Sequence, residues 1–151
     1  MSVPPRTAAI RLLLGAVLCA LAACAVAADF EDQVSDSLRY QLSGAAESWA
    51  GSALDWKDLR AFYGGRDYRP VWCQAGGLDS RGRALVRTLQ RADTQGLDPQ
   101  RYHLRAVVTQ CRRRSAPERA WLELLLTDAY FRYCVDVRGG HQDPRETDAD
   151  W

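Results

Sequence analysis

A chain of 151 residues with a formal net charge of +1 is long enough for one modest core. It is too nearly neutral to gather nucleic acid or anionic lipid through a global field. Its two histidines, His103 and His141, and its cysteines, none of them in a Cys-x-x-Cys or other ligand spacing, argue against a zinc site.

The chain opens with a short basic region at Arg6 and Arg11, followed by Leu12 to Ala28 without a charge. Small residues close the segment as Ala25-Val26-Ala27-Ala28, ahead of the acidic Asp29-Phe30-Glu31-Asp32. These three parts predict a secretory signal peptide over residues 1–28; the apolar run is short of the roughly 20 residues a spanning helix needs. Two processing chemistries compete. Ala25-Val26-Ala27 fits ordinary signal peptidase, whereas Leu21-Ala22-Ala23-Cys24 fits the bacterial lipobox, in which Cys24 carries lipid and anchors the protein to a membrane face. Removal of the leader leaves roughly 120 residues, one domain, and takes Arg6 and Arg11 from the total of +1, to about −1. Export places Cys73, Cys111 and Cys134 in an oxidising compartment, where one disulfide and one free thiol can form, with no pair singled out.

From Asp29 to about Gly44, Phe30, Val34, Leu38 and Leu42 recur every four residues and predict a helix, its acidic start matching the positive end of the helix dipole. Small residues from Ser43 to Ser52 read as a loop, so residues 29–54 form an N-terminal helix and loop. Asp55 is set to cap a helix beginning at Trp56, whose face Leu59, Phe62 and Tyr63 runs to Gly64-Gly65. Pro70 biases Arg69 away from helix, so Tyr68-Arg69-Pro70-Val71-Trp72 is expected to be a short extended segment planting Tyr68 and Trp72 in the core. Asp79 or Ser80 caps the next helix, with Ala84, Leu85, Thr88, Leu89 and Ala92 inward and Arg81, Arg83, Arg87 and Arg91 mostly toward water; Gly96 closes it. Asp98 as N-cap and Pro99 at the first position then open a short helix through Tyr102 to Cys111, with Leu104, Val107 and Val108 inward. After Arg112-Arg113-Arg114-Ser115, Pro117 opens the longest helix, to about Val137. It is apolar on more than one side, which puts it in the middle of the domain or against a partner. Gly139-Gly140 ends it before a polar tail that finishes at Trp151. The expected fold is mainly α, about five helices with one short extended segment.

Few of these residues read as chemistry. Cys73 lies in no nucleophile motif, and burial or a disulfide explains it better than catalysis. Asp128, amid apolar neighbours with Arg132 at i+4, is expected to pin a loop or helix end rather than act as a base. His141 sits in a glycine-rich loop, and Arg112-Arg113-Arg114 is a solvated turn. No phosphate loop, lipase elbow or metal motif occurs, so no cofactor is expected.

Four stretches in order resemble one family. They are Phe62-Tyr63 with Arg66, Tyr68, Pro70 and Trp72; Ala92-Asp93 with Gly96-Leu97, Pro99 and Tyr102; Leu126-Thr127 with Ala129 and Tyr133; and Asp136 and Gly140 with Pro144 and Trp151. Together they are similar to the N-terminal scaffold region of the large multi-domain murein L,D-transpeptidases, over residues 55–151. In that family the scaffold precedes a peptidoglycan-binding module and a catalytic domain whose cysteine stands in a Ser-His-Gly-Cys-type motif. No stretch here matches that motif, so no catalytic residue carries over. The resemblance implies a non-catalytic, periplasmic support, here free-standing or separated from its catalytic domain. Its partners would be a transpeptidase catalytic domain, other cell-wall synthesis proteins or peptidoglycan itself. Its structural and docking residues would be Tyr63, Tyr68, Pro70, Trp72, Asp98, Pro99, Tyr102, Asp128, Tyr133 and Trp151, with Cys24 as the lipid site. Two rivals are a small outer-membrane lipoprotein and a peptidoglycan-acting enzyme that uses Cys73 or Asp128.

Overall fold

The computed structural model describes residues 25–45 and 54–139. The four-residue apolar repeat at the start forms helix α1 (25–40), which together with its closing turn buries Val34, Leu38 and Leu42, with Phe30 half-buried beside them. The helix already runs through Ala25–Ala28, ahead of the expected Asp29. It closes in a π-turn, Gln41–Ala45, where Gly44 takes φ 107, a conformation that glycine adopts without strain.

Helix α2 (Trp56–Gly64) starts on Asp55, whose carboxylate accepts the Asp58 N–H at 3.1 Å, and ends at Gly65. The following turn differs from expectation. Tyr68 is left-handed at φ 58 rather than extended, and its ring is half-buried beneath Arg39 (4.9 Å) rather than planted in the core. The turn is closed by the Tyr68 N–H donating to the Tyr63 carbonyl at 2.8 Å, which turns the ring away from the centre. Trp72 does reach the core. A two-residue antiparallel hairpin follows, β1 (Cys73–Gln74) and β2 (Gly77–Leu78), pairing Cys73 with Leu78.

Helix α3 (Ser80–Gln90) is capped by Asp79 through the Gly82 N–H at 2.7 Å. Its inward face is Gly82, Leu85 and Leu89, whereas Ala84, expected inward, is exposed. The face is rotated because Gly82, with no side chain, lies against the Trp72 carbonyl. Gly96 (φ 73) closes a 3-10 turn, Ala92–Gln95, rather than α3 itself. Asp98 and Pro99 open a second 3-10 turn, Pro99–Tyr102, and left-handed His103 separates it from α4 (Leu104–Gln110). The expected single helix from Tyr102 is therefore broken. The break leaves Val107 buried and Val108 exposed.

Helix α5 (Ala116–Gly139) is the centre of the domain, buried continuously from Leu122 to Ala129. At its start the Glu118 side chain reaches back to Ser115, half of a capping box. Glu118 accepts the Ser115 N–H at 3.1 Å and the Ser115 hydroxyl at 2.7 Å, while the Ser115 carbonyl takes the Arg119 N–H at 2.9 Å. The architecture is thus mainly α, five α-helices and one small hairpin among the described residues. None of these helices is long and apolar enough to cross a membrane. The leader through Cys24, most of the small-residue stretch, His141, Asp143-Pro144 and Trp151 lie outside the described residues.

Candidate functional site

Two carboxylates five residues apart on α5 organise the rest of the chain, and only one of them was expected. Glu123, flanked by leucines, is fully buried. Its Oε1 accepts the N–H groups of Trp72 (2.8 Å) and Cys73 (2.6 Å). Its Oε2 accepts the Val71 N–H (2.8 Å) and the Tyr63 hydroxyl (2.8 Å). Four donors fill the capacity of one carboxylate, so the group replaces its lost water with a shell of protein donors. Burial pushes the Glu123 pKa up, and those donors oppose the shift. Tyr63 extends the network: its oxygen lies 2.7 Å from the Thr127 hydroxyl, which accepts the Trp72 indole N–H at 2.9 Å. Burial first, and then the charge of Glu123, pushes the Tyr63 hydroxyl pKa well up, keeping it a donor.

Asp128 binds the chain at a second point. Its Oδ1 accepts the Asp55 N–H at 2.8 Å, just before α2. Its Oδ2 meets His103 Nε2 at 2.6 Å and Arg132 Nε. Burial alone would raise its pKa, but His103, Arg132 and the Asp55 N–H together hold it below the usual carboxylate range. One side chain thereby ties together the entry of α2, the left-handed break before α4 and its own helix.

Farther along, Tyr102 is buried, donates to Asp136 at 2.8 Å and meets the Tyr133 ring edge-on at 5.6 Å; Tyr133 donates to Gln95 at 3.0 Å. Asp98 caps its turn through the Gln100 N–H, Pro99 holds the first position, and Pro70 is half-buried before the Glu123-bound segment. The structure therefore gathers Tyr63 and Trp72 around Glu123, puts Asp128 one and a half turns along α5, and leaves Tyr68 at the rim.

Cys73 sits inside this network. Burial first, then the nearby charge of Glu123, pushes its thiol pKa far above the ordinary value, with Arg119 opposing. A thiol held protonated is the reverse of what a nucleophile requires. All three described cysteines are free thiols, so the disulfide open from sequence is not formed. Arg119 is itself buried, its Nε and Nη1 without protein partners, beside Cys73 and Cys111. No group of three or more His, Cys, Asp or Glu side chains able to hold a metal occurs among the described residues.

Sequence reasoning missed Glu123 and Arg119. A signal was present for Glu123, a charged residue inside an otherwise apolar run, the reasoning that singled out Asp128; Arg119, next to Glu118, carried no such signal. The Ser115-x-x-Glu118 pattern was also legible.

A central helix whose buried acids hold the surrounding turns in place is thus the organising element of the fold. Residues 57–151, well over half of the chain, match the family model described as Scaffold domain, and the chain belongs to that family. Helix α1 and its closing turn precede the matched span yet supply Val34, Leu38 and Leu42 to the same core. No curated protein and no solved structure matches the chain.

Proposed function

We propose that this chain is a non-catalytic support for peptidoglycan crosslinking in the bacterial envelope, working beside an L,D-transpeptidase catalytic domain. Membership of the Scaffold domain family supports the scaffold role. The finer link rests on the resemblance to the N-terminal region of the murein L,D-transpeptidases. One observation carries the non-catalytic reading: the Glu123 and Asp128 carboxylates and the Tyr63 hydroxyl are spent on the protein's own backbone and side chains, and the Cys73 thiol is buried with its pKa pushed up. Export through the leader places the protein in the periplasm, with Cys24 as its outer-membrane anchor if the lipobox is used. The docking face on this reading is the side of α5 that carries Tyr130 and Val137, seven residues apart on one helix face and both exposed.

Titrating the purified chain against a separately expressed L,D-transpeptidase catalytic domain tests the proposal. A saturable complex weakened by Val137→Ser is the expected result, and monodisperse, non-interacting partners refute it. Assay on muropeptides tests the enzyme rival: activity lost in Cys73→Ala or Asp128→Ala would replace the support reading. Mass spectrometry of the N-terminus decides between lipid on Cys24 and a plain start near Ala28.

A further inference from the structure

Helix α3 turns Gly82, Leu85 and Leu89 into the core. At about 100° per residue, Arg83, Arg87 and Arg91 fall on the opposite side, four residues apart. All three are exposed, and they form a ridge about 12 Å long. No carboxylate answers their charge. Helix α3 has no acid of its own. Asp79, at its start, pairs with Arg81 at 2.9 Å, and Asp93, beyond its end, accepts the Thr94 N–H at 2.9 Å. Arg83 donates to the Leu78 carbonyl at 2.6 Å, a contact that leaves its charge unneutralised. Among the described residues no ion pair reaches Arg83, Arg87 or Arg91. Like charges four residues apart destabilise a helix, so the ridge is a local excess of positive charge in a chain whose total is only +1.

The chemistry of the ridge selects its partner. Every cation in it is a guanidinium, which offers paired N–H groups to phosphate oxygens. The ridge stands on a convex helix face, with no aromatic side chain from Ser80 to Gln90. It therefore offers neither the groove nor the stacking platform that a nucleic-acid strand takes. A plane of phosphate headgroups meets such a ridge along its whole length. The apolar side of α3 is buried in the core, so the contact stays at headgroup level and is electrostatic.

We propose that α3 lays Arg83, Arg87 and Arg91 on an anionic phospholipid surface, as a peripheral contact without insertion. The crosslinking reading is not needed for it, because no transpeptidase enters the test. The mature chain, secreted as Cys24→Ser so that no lipid anchor contributes, is sedimented with two kinds of vesicle. One holds equal parts phosphatidylglycerol and phosphatidylcholine, the other phosphatidylcholine alone. Binding to the anionic vesicles only is expected, and added salt should release it. Arg87→Gln and Arg91→Gln, whose side chains hold no other contact among the described residues, should each weaken it about fivefold. Lys57→Gln removes the same charge from α2 and should leave binding nearly unchanged. Four results would overturn the proposal: no binding to the anionic vesicles, equal binding to both kinds, an equal loss in Lys57→Gln, or binding to soluble polyphosphate in place of the vesicles.

Discussion

Glu123 accepts the Cys73 N–H at 2.6 Å across fifty residues of sequence, so the core of the longest helix holds the start of the hairpin through a charged group rather than through apolar contact. Its Oε2 takes the Tyr63 hydroxyl at 2.8 Å, which adds α2 to the same anchor. Removal of that carboxylate leaves three backbone N–H groups without an acceptor. Glu123→Ala is therefore expected to lower stability by about 3–5 kcal/mol, as for other buried charged groups stripped of a partner. Chemical denaturation reads this as a lower midpoint. Glu123→Gln, which turns an N–H donor toward backbone donors, should recover little of the loss.

Asp128 makes stability depend on pH. Its folded pKa lies below its unfolded value, so its contribution is present in full above the unfolded pKa, about 3.9 for aspartate, and is lost as pH falls through the folded value. Denaturation midpoints should therefore fall steeply below about pH 4 in the natural chain. The difference between that chain and Asp128→Asn should shrink over the same range. A constant difference down to low pH would contradict this assignment. Asp79, whose pKa is also lowered, contributes an acid slope common to both proteins, which the comparison removes.

Gly82 faces the Trp72 carbonyl so closely that an added Cβ would lie 2.7 Å from that oxygen. The same carbonyl accepts the Asp79 N–H at 2.8 Å, so it cannot retreat without breaking the entry to α3. Gly82→Ala should cost about 1–3 kcal/mol through overpacking. Gly76→Ala, where a Cβ meets nothing within 4 Å, should leave thermal stability nearly unchanged.

Thiol labelling separates the cysteines. Cys73 is buried with its pKa pushed far up, whereas Cys134 is only half-buried. In native protein near pH 8 an alkylating reagent should modify Cys134 first and reach Cys73 only as the chain unfolds. Mass mapping of the labelled peptides checks the order, and fast labelling at Cys73 would revive the enzyme reading.

Local chemistry was legible in the order of residues. The four-residue repeat of Val34, Leu38 and Leu42 marked α1. Asp55 and Asp79 marked the starts of α2 and α3, because a carboxylate just before an apolar repeat satisfies N–H groups that the helix itself cannot. The breadth of apolar residues around Leu122 to Ala129 marked α5 as central.

Tertiary contacts decided the rest. Ala84 and Val108 suit an inward face by periodicity, but each helix turns toward whatever packs closest: α3 rolls onto Gly82 against Trp72, and the left-handed His103 resets α4 to bury Val107. Tyr68 is apolar enough for the core, yet the turn ending in its bond to the Tyr63 carbonyl sends it to the rim. Glu123 shows the division most plainly. Its identity is written in the sequence, but its donors come from Tyr63 and from Val71 to Cys73, some fifty to sixty residues earlier, and only the folded chain brings them within 3 Å. Helix periods and caps arise from neighbours within one or two turns. The value of a buried charge depends on distant donors that replace its water, which no local pattern encodes.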